Sequence, residues 1–375
     1  MKRIFSVTIS FALILLAVFL IVLKLHDPAY TTLNDIRSAG QTAYIEQKLD
    51  EMSLEEKIGQ MFMGCFYNGT PSPETVSRYH LGSVLLFHSS FAEKDKASVI
   101  SQLKAINDIC NIKPIIAVDE EGGTVNRISN SPSFRSEPFK SPREIFASGG
   151  MDAIIKDTHD KNAFLSELGI NLNLAPVCDI SQNPKDFMFS RSLGQNAQIT
   201  SQYAAAVTKA CLEDNIGCCL KHFPGYGNSA DTHKGMSIDK RSEKQLEEND
   251  FLPFKAGIDA GAPSVLVSHN IVSSLDESLP ASLSPAVHRI LRYDMNFSGV
   301  IITDDLSMGA VSNFSPKTDS AVTAIMAGND ILCTGDFANQ YKAVLEAVNN
   351  GTISEERIDT SVRRILLWKK DLSLF

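Results

Sequence analysis

The chain reads Ile216-Gly217-Cys218-Cys219-Leu220-Lys221-His222-Phe223-Pro224-Gly225-Tyr226-Gly227-Asn228-Ser229-Ala230-Asp231-Thr232-His233. Its first five residues are an apolar run short enough for a buried strand, and turn residues follow closely. A cation and an imidazole, Lys221 and His222, therefore stand where a strand is expected to end. Pro224, Gly225 and Gly227 break regular structure and open a loop. At the far end Asp231 and His233 flank Thr232, so a carboxylate can orient an imidazole and stabilise its charged form. Proton transfer needs that arrangement. A purely structural loop has little use for so many ionisable groups beside glycines.

Working outward, apolar runs recur at residues 60–66, 81–87, 114–118, 170–177, 216–220, 264–267, 299–302 and 330–333. Helical stretches alternate with them from the second run on, at 92–111, 141–168, 197–214, 243–260, 285–294 and 318–327, and helices at 338–349 and 354–368 close the chain. Strands alternating with helices over ~300 residues imply a parallel sheet. Eight such units predict an α/β fold of the (β/α)8 TIM-barrel type rather than an open sheet.

Ionisable residues cluster just after these runs. Asp119-Glu120-Glu121-Gly122-Gly123 follows the third, Asp179 the fourth, Lys221 and His222 the fifth, His269-Asn270 the sixth, and Asp304-Asp305 the seventh. In a parallel barrel all strand C-termini face one mouth, where active sites form. Strand side chains alternate in direction, so Asp305 is expected to point away from Asp304 and to be structural.

The 375 residues, 43% of them hydrophobic, can build a sizeable core. A net charge of −9 without a long basic run argues against nucleic acid as a partner. The seven cysteines show neither zinc-ligand spacing nor a disulfide framework, and no metal or organic cofactor is implied. Residues 4–23 carry no charge, with Lys2 and Arg3 before them and Lys24 after. Twenty residues at 1.5 Å each span a ~30 Å hydrocarbon core, and no cleavage site or lipobox cysteine is evident. The expectation is an N-terminal transmembrane helix within residues 1–25, with a cleaved signal segment and a secreted protein as the competitor. The flanking cations place the remainder outside the cytoplasm, on a single-pass cell-membrane anchor. A polar stem over residues 26–50, helical from Leu33, precedes a catalytic barrel over 51–375, where Ser53 and Glu56 have capping-box spacing.

The stretch from Lys221 to His233 resembles the signature of family 3 glycoside hydrolases, in particular the β-N-acetylglucosaminidase branch, in which Lys-His-Phe-Pro-Gly-His-Gly is followed by Asp-Ser-His. Tyr226 replaces the common histidine. Residues 52–61 resemble the opening of the family's catalytic domain, and the resemblance extends over roughly residues 50–370. Gly299-Val300-Ile301-Ile302-Thr303-Asp304-Asp305-Leu306-Ser307-Met308 is similar to the family's nucleophile motif. The resemblance implies Asp304 as nucleophile and His233, held by Asp231, as acid/base. It implies Asp119 and Arg127, from a motif similar to Asp-x-Glu-Gly-Gly-x-Val-x-Arg, as sugar-binding residues. Arg191, Lys221 and His222 join them on the same footing. The implied activity is that of a retaining, exo-acting β-N-acetylhexosaminidase. It would release terminal β-linked N-acetylglucosamine from cell-wall fragments or chitooligosaccharides, its partners being carbohydrate substrate and a membrane. A carboxylate can attack an anomeric carbon, and an imidazole can donate and then accept a proton near neutral pH. Water and phosphate both stay open as the second acceptor. The alternatives are a β-glucosidase or β-xylosidase of the same family, or an anchored sugar-binding protein without catalysis. Substrate-assisted catalysis would need a carboxylate pair beside the acetamido group, and the Asp304 motif fits direct attack better.

Overall fold

The computed structural model describes residues 39–227, 237–312 and 317–375 of the chain. Each of the eight apolar runs supplies one barrel strand: β1 Phe62–Phe66, β2 Ser83–Leu86, β3 Ile115–Val118, β4 Leu172–Asn173, β5 Gly217–Phe223, β6 Ser264–Val267, β7 Val300–Thr303 and β8 Leu332–Thr334. The hydrogen-bonded order is β8-β1-β2-β3-β4-β5-β6-β7, and every pairing is parallel. A parallel bridge between Ile302 and Ile331 joins the two ends and nearly closes the barrel. β2, β3, β6 and β7 are buried at every position, because helices cover one face and the barrel interior the other.

Two strands depart from the sequence expectation. β4 is two residues long, because asparagine side chains replace part of its ladder. Asn171 Oδ1 accepts from Ile116 N at 2.9 Å, while Asn173 accepts from Glu120 N and donates to Glu120 O, both at 3.0 Å. β5 runs on through Lys221 and His222 to Phe223, so these two residues belong to the strand's last part rather than to the loop after it.

Helices link the strands, with the capping expected at the start of the barrel: Ser53 Oγ accepts from Glu56 N at 3.2 Å, and Glu56 Oε2 accepts from Ser53 N at 2.9 Å. The last helix, Glu355–Asp371, touches the entrances of several strands. Its Ser361 and Arg364 bind Asp330 just ahead of β8, and its Lys369 binds Gln60 just ahead of β1. A Cβ added at Gly217, the first residue of β5, would sit 3.1 Å from the Trp368 ring. The helix therefore lies beneath the N-terminal end of the barrel, opposite the mouth. The expected stem ends in helix Ala39–Glu51, which packs on this closing helix. Ile45 and Leu49 are buried, and Glu46 pairs with Arg363. Residues 4–23, where the sequence predicts the transmembrane helix, lie outside the described residues; among the described residues no helix is long and apolar enough to cross a membrane.

Asp330 fastens the underside. Burial would raise its carboxyl, but Arg292, Arg364 and Arg357 hold it at about 2. Replacing a buried carboxylate by an amide strands its cations, at a cost of ~3–5 kcal/mol. Asp330→Asn is therefore expected to lower unfolding free energy by that amount in urea at pH 7. The difference should persist above the unfolded carboxyl pKa of ~3.9 and shrink as pH falls toward about 2. A variant as stable as the parent at pH 7 would show the cluster to be dispensable.

Candidate active site

A cavity of about 450 Å³ opens at the C-terminal ends of the strands. Among the residues lining it are Asp119, Glu121, Arg127, Arg191, Lys221, His222 and Asp304. Six residues singled out in the sequence for substrate or nucleophile roles, Asp119, Arg127, Arg191, Lys221, His222 and Asp304, thus converge on one space. Asp231 and His233 lie outside the described residues; Tyr226, which lines the cavity, is five residues before Asp231.

The centre of the arrangement is a residue the sequence reading passed over. Glu121 is buried and receives Arg191 in a two-pronged pair, Nε to Oε2 at 2.9 Å and Nη2 to Oε1 at 2.6 Å. Lys221 Nζ reaches the same Oε1 at 2.6 Å and also donates to Asp119 Oδ1 at 2.7 Å. Arg127 approaches the other oxygen of Asp119 at 3.5 Å. Burial alone would raise the Glu121 carboxyl, but Arg191 and Lys221 hold it well below the usual carboxylate range. Burial alone would likewise lower Lys221, yet Asp119 and Glu121 raise it, so the ammonium stays charged inside the barrel. The signal for Glu121 was present in the sequence: it stands two residues from Asp119, directly before Gly122-Gly123.

Glu120, between them, does a different task. Its carboxylate accepts from the backbone N–H groups of Arg127, Ile128 and Ser129 at 2.8, 2.9 and 3.0 Å, which fixes the loop that carries Arg127. Gly122 and Gly123 adopt positive φ, +101° and +65°, where a Cβ would run into Lys140 and Ser141.

His222 is held at both ring nitrogens. Arg191 Nη2 lies 3.1 Å from Nε2, and Asp179 Oδ2 lies 2.7 Å from Nδ1. A guanidinium only donates, so Nε2 accepts and the proton sits on Nδ1, facing Asp179. Asp179 also accepts from the backbone N–H of His222 at 3.2 Å and, through Oδ1, from that of Tyr226 at 2.7 Å. It is therefore the buried post that secures the end of β5.

Asp304 follows β7 directly. Its N–H donates to Val267 O, and its Oδ1 accepts from Asp305 N, both at 2.9 Å, which orients the carboxylate. The expectation that Asp305 turns away is corrected: Asp305 lines the same cavity. β7 ends at Thr303, so strand alternation no longer constrains residue 305. The Asp305 carboxylate is engaged by the Tyr67 hydroxyl and by Ser307 N, and its carbonyl by His269 Nε2 at 2.9 Å. His269 is buried and contacts Ser282 through Nδ1 at 2.7 Å, so it supports this turn from behind.

An eight-stranded parallel barrel with carboxylates and cations gathered at its mouth has clear relatives. Residues 53–367 match the glycosyl hydrolase family 3 N-terminal domain, and the chain belongs to this family. It is 29% identical over 336 residues to β-hexosaminidase A of Pseudoalteromonas piscicida, covering 80% of this chain and 55% of that protein. It is 28% identical over 276 residues to a β-hexosaminidase of Methylococcus capsulatus, covering 73% of this chain and 81% of that protein. The barrel superposes on a family 3 β-N-acetylglucosaminidase from a Paenibacillus species with a TM-score of 0.80 at 28% identity, covering 86% of this chain and 63% of that one. The chain thus spans little more than half the length of the first of these proteins and most of the second.

Glu121→Gln keeps the shape but leaves Lys221 and Arg191 facing a neutral amide. It is expected to destabilise the barrel by ~3–5 kcal/mol in chemical denaturation. Asp119→Asn, whose side chain is partly open to the cavity, should cost less than half of that. Equal losses for the two variants would deny Glu121 its central place.

Proposed function

We infer that the chain is a retaining, exo-acting β-N-acetylhexosaminidase releasing terminal β-linked N-acetylglucosamine from cell-wall fragments or chitooligosaccharides. The observation carrying this reading is that Asp304 shares one cavity with the Asp119–Lys221–Glu121–Arg191 network and Arg127. The cavity volume, about 450 Å³, falls within the ~300–1,000 Å³ of small-ligand pockets. The activities for which these relatives are named are in keeping with it.

In this reading Asp119, Arg127, Arg191 and Lys221 bind the hydroxyls of the terminal sugar, and His222 lines the same wall while holding Arg191 in place. Asp304 attacks the anomeric carbon; the bond to the leaving oxygen breaks and a glycosyl ester forms. His233, oriented by Asp231, gives its proton to the leaving oxygen and then takes one from the water that hydrolyses the ester. His233 is seven positions beyond Tyr226, a reach of up to ~25 Å at ~3.3–3.6 Å per residue, ample to bring the imidazole to the mouth.

The first 25 residues are read as a single-pass membrane anchor, with the barrel outside the cytoplasm. Helix Ala39–Glu51 meets the barrel beneath its N-terminal end, so an anchor upstream is compatible with a mouth that faces away from the membrane.

Hydrolysis of aryl β-N-acetylglucosaminide against aryl β-glucoside by residues 26–375 tests the activity. The acetamido sugar should be preferred by ~10-fold or more in kcat/KM, a margin of ~1.4 kcal/mol, and Asp304→Ala should abolish both. Preference for the glucoside would overturn the substrate assignment. Membrane fractionation tests the anchor: the full chain should pellet with membranes, whereas residues 26–375 should stay in the supernatant.

A further inference from the structure

Residues 225–227 and 237–241 flank the segment that carries Asp231 and His233, and the Arg241 side chain joins them. Residues 225 and 226 are tied to the barrel mouth: Gly225 N donates to His222 O of β5 at 2.8 Å, and Tyr226 N to Oδ1 of Asp179, beyond β4, at 2.7 Å. Residues Ile238–Asp239 form a short parallel ladder with Ile271–Val272, flanked by bonds from Ile271 N to Ser237 O and from Ser273 N to Asp239 O, both at 2.9 Å. Arg241 then reaches back. Its Nε and Nη2 grip the buried Asp239 carboxylate at 2.9 and 2.6 Å, and its Nη1 meets Asp250 Oδ2 at 2.6 Å. Nη2 also donates to Gly225 O at 3.3 Å.

The two glycines of Gly225-Tyr226-Gly227 fit this clasp. Gly225 has φ +113°, and a Cβ there would lie 2.5 Å from Asp250 Oδ1. Gly227 has φ +53°, and a Cβ there would lie 2.4 Å from the central carbon of the Arg241 guanidinium. Both positions favour glycine for their backbone, and both give up their Cβ space to the Arg241–Asp250 pair.

We infer that Arg241 is a positioning residue for proton transfer: its guanidinium ties the strand end from which residues 228–236 depart to the ladder at which they return. The inference rests on His233 as acid/base. Arg241 touches no substrate in this account. It fixes the separation of the two ends of the segment in which His233 stands.

The test uses the full chain and two substrates that differ only in leaving group, 2,4-dinitrophenyl and methyl β-N-acetylglucosaminide. The readout is the ratio of their kcat/KM values, which reports bond cleavage to the leaving group. Partial unfolding does not move this ratio, because both substrates meet the same active fraction. Departure of dinitrophenolate needs no proton, whereas methanol does, so loss of a placed acid raises the ratio. His233→Ala should raise it most. Arg241→Ala should raise it on the order of 10²-fold, as a catalytic group displaced by about 1 Å would. Gly227→Ala, which pushes the guanidinium aside without deleting a charge, should act in the same direction, and Arg241→Lys should fall between Arg241→Ala and the parent. An unchanged ratio in Arg241→Ala and Gly227→Ala, with a raised ratio in His233→Ala, would overturn the clasp and leave the acid assignment standing. An unchanged ratio in His233→Ala would overturn the acid assignment and the clasp with it.

Discussion

A buried carboxylate that receives two cations organises the mouth of this barrel. Glu121 alone would be a costly charge to place inside a protein, and so would Lys221 and Arg191. Together they satisfy one another at 2.6–2.9 Å, and the consequences spread along three elements. The end of β3 is fixed against the end of β5 through Lys221. The loop holding Arg191 is drawn onto both strands. His222 is locked in one tautomer between Arg191 and Asp179, and Asp179 in turn holds the backbone of Tyr226. From there the chain passes to Gly227 and the segment bearing Asp231 and His233. The ion-pair network of the cavity and the residues from which that segment departs thus share one support.

The fold was legible in the sequence because of how a parallel barrel buries its strands. Each is covered on both faces, so each reads as an unbroken apolar run, and all eight runs found their strand. The departures have local causes. The run at 170–177 looked like a long strand, yet Asn171 and Asn173 take over backbone pairing with their side chains and leave only Leu172–Asn173 in the ladder. β5 was expected to stop at Leu220, because hydropathy counts a lysine and a histidine as surface residues. Lys221 and His222 are buried with partners more than 40 positions away in the chain, which a local reading cannot see.

The same reasoning separates what was readable at the site from what was not. Placing Asp119, Lys221, His222 and Asp304 needed only the rule that strand ends share a mouth, and Arg127 and Arg191 came from their motifs. Glu121 and Asp179 were harder, because their importance lies in which cations and backbone groups they hold, and partners are a property of the closed barrel. The direction of Asp305 was misjudged because strand alternation was extended two residues beyond Thr303, the end of β7, although its carboxylate does hold structural partners, Tyr67 and Ser307. Arg241 gave no signal by itself; its meaning comes from the return of residues 237–241 to the side of Gly225 and Gly227.

The account turns on Asp304 forming a covalent bond to the sugar from the wall of this cavity. A 5-fluoro-N-acetylglucosaminyl fluoride, which slows turnover of a glycosyl ester, would let that bond be trapped and its position read by mass spectrometry of the digested protein. The account predicts one added sugar, carried on the Asp304 carboxylate and absent from Asp304→Ala. An adduct on Asp305, or first-formed product of inverted configuration with no adduct at all, would contradict it.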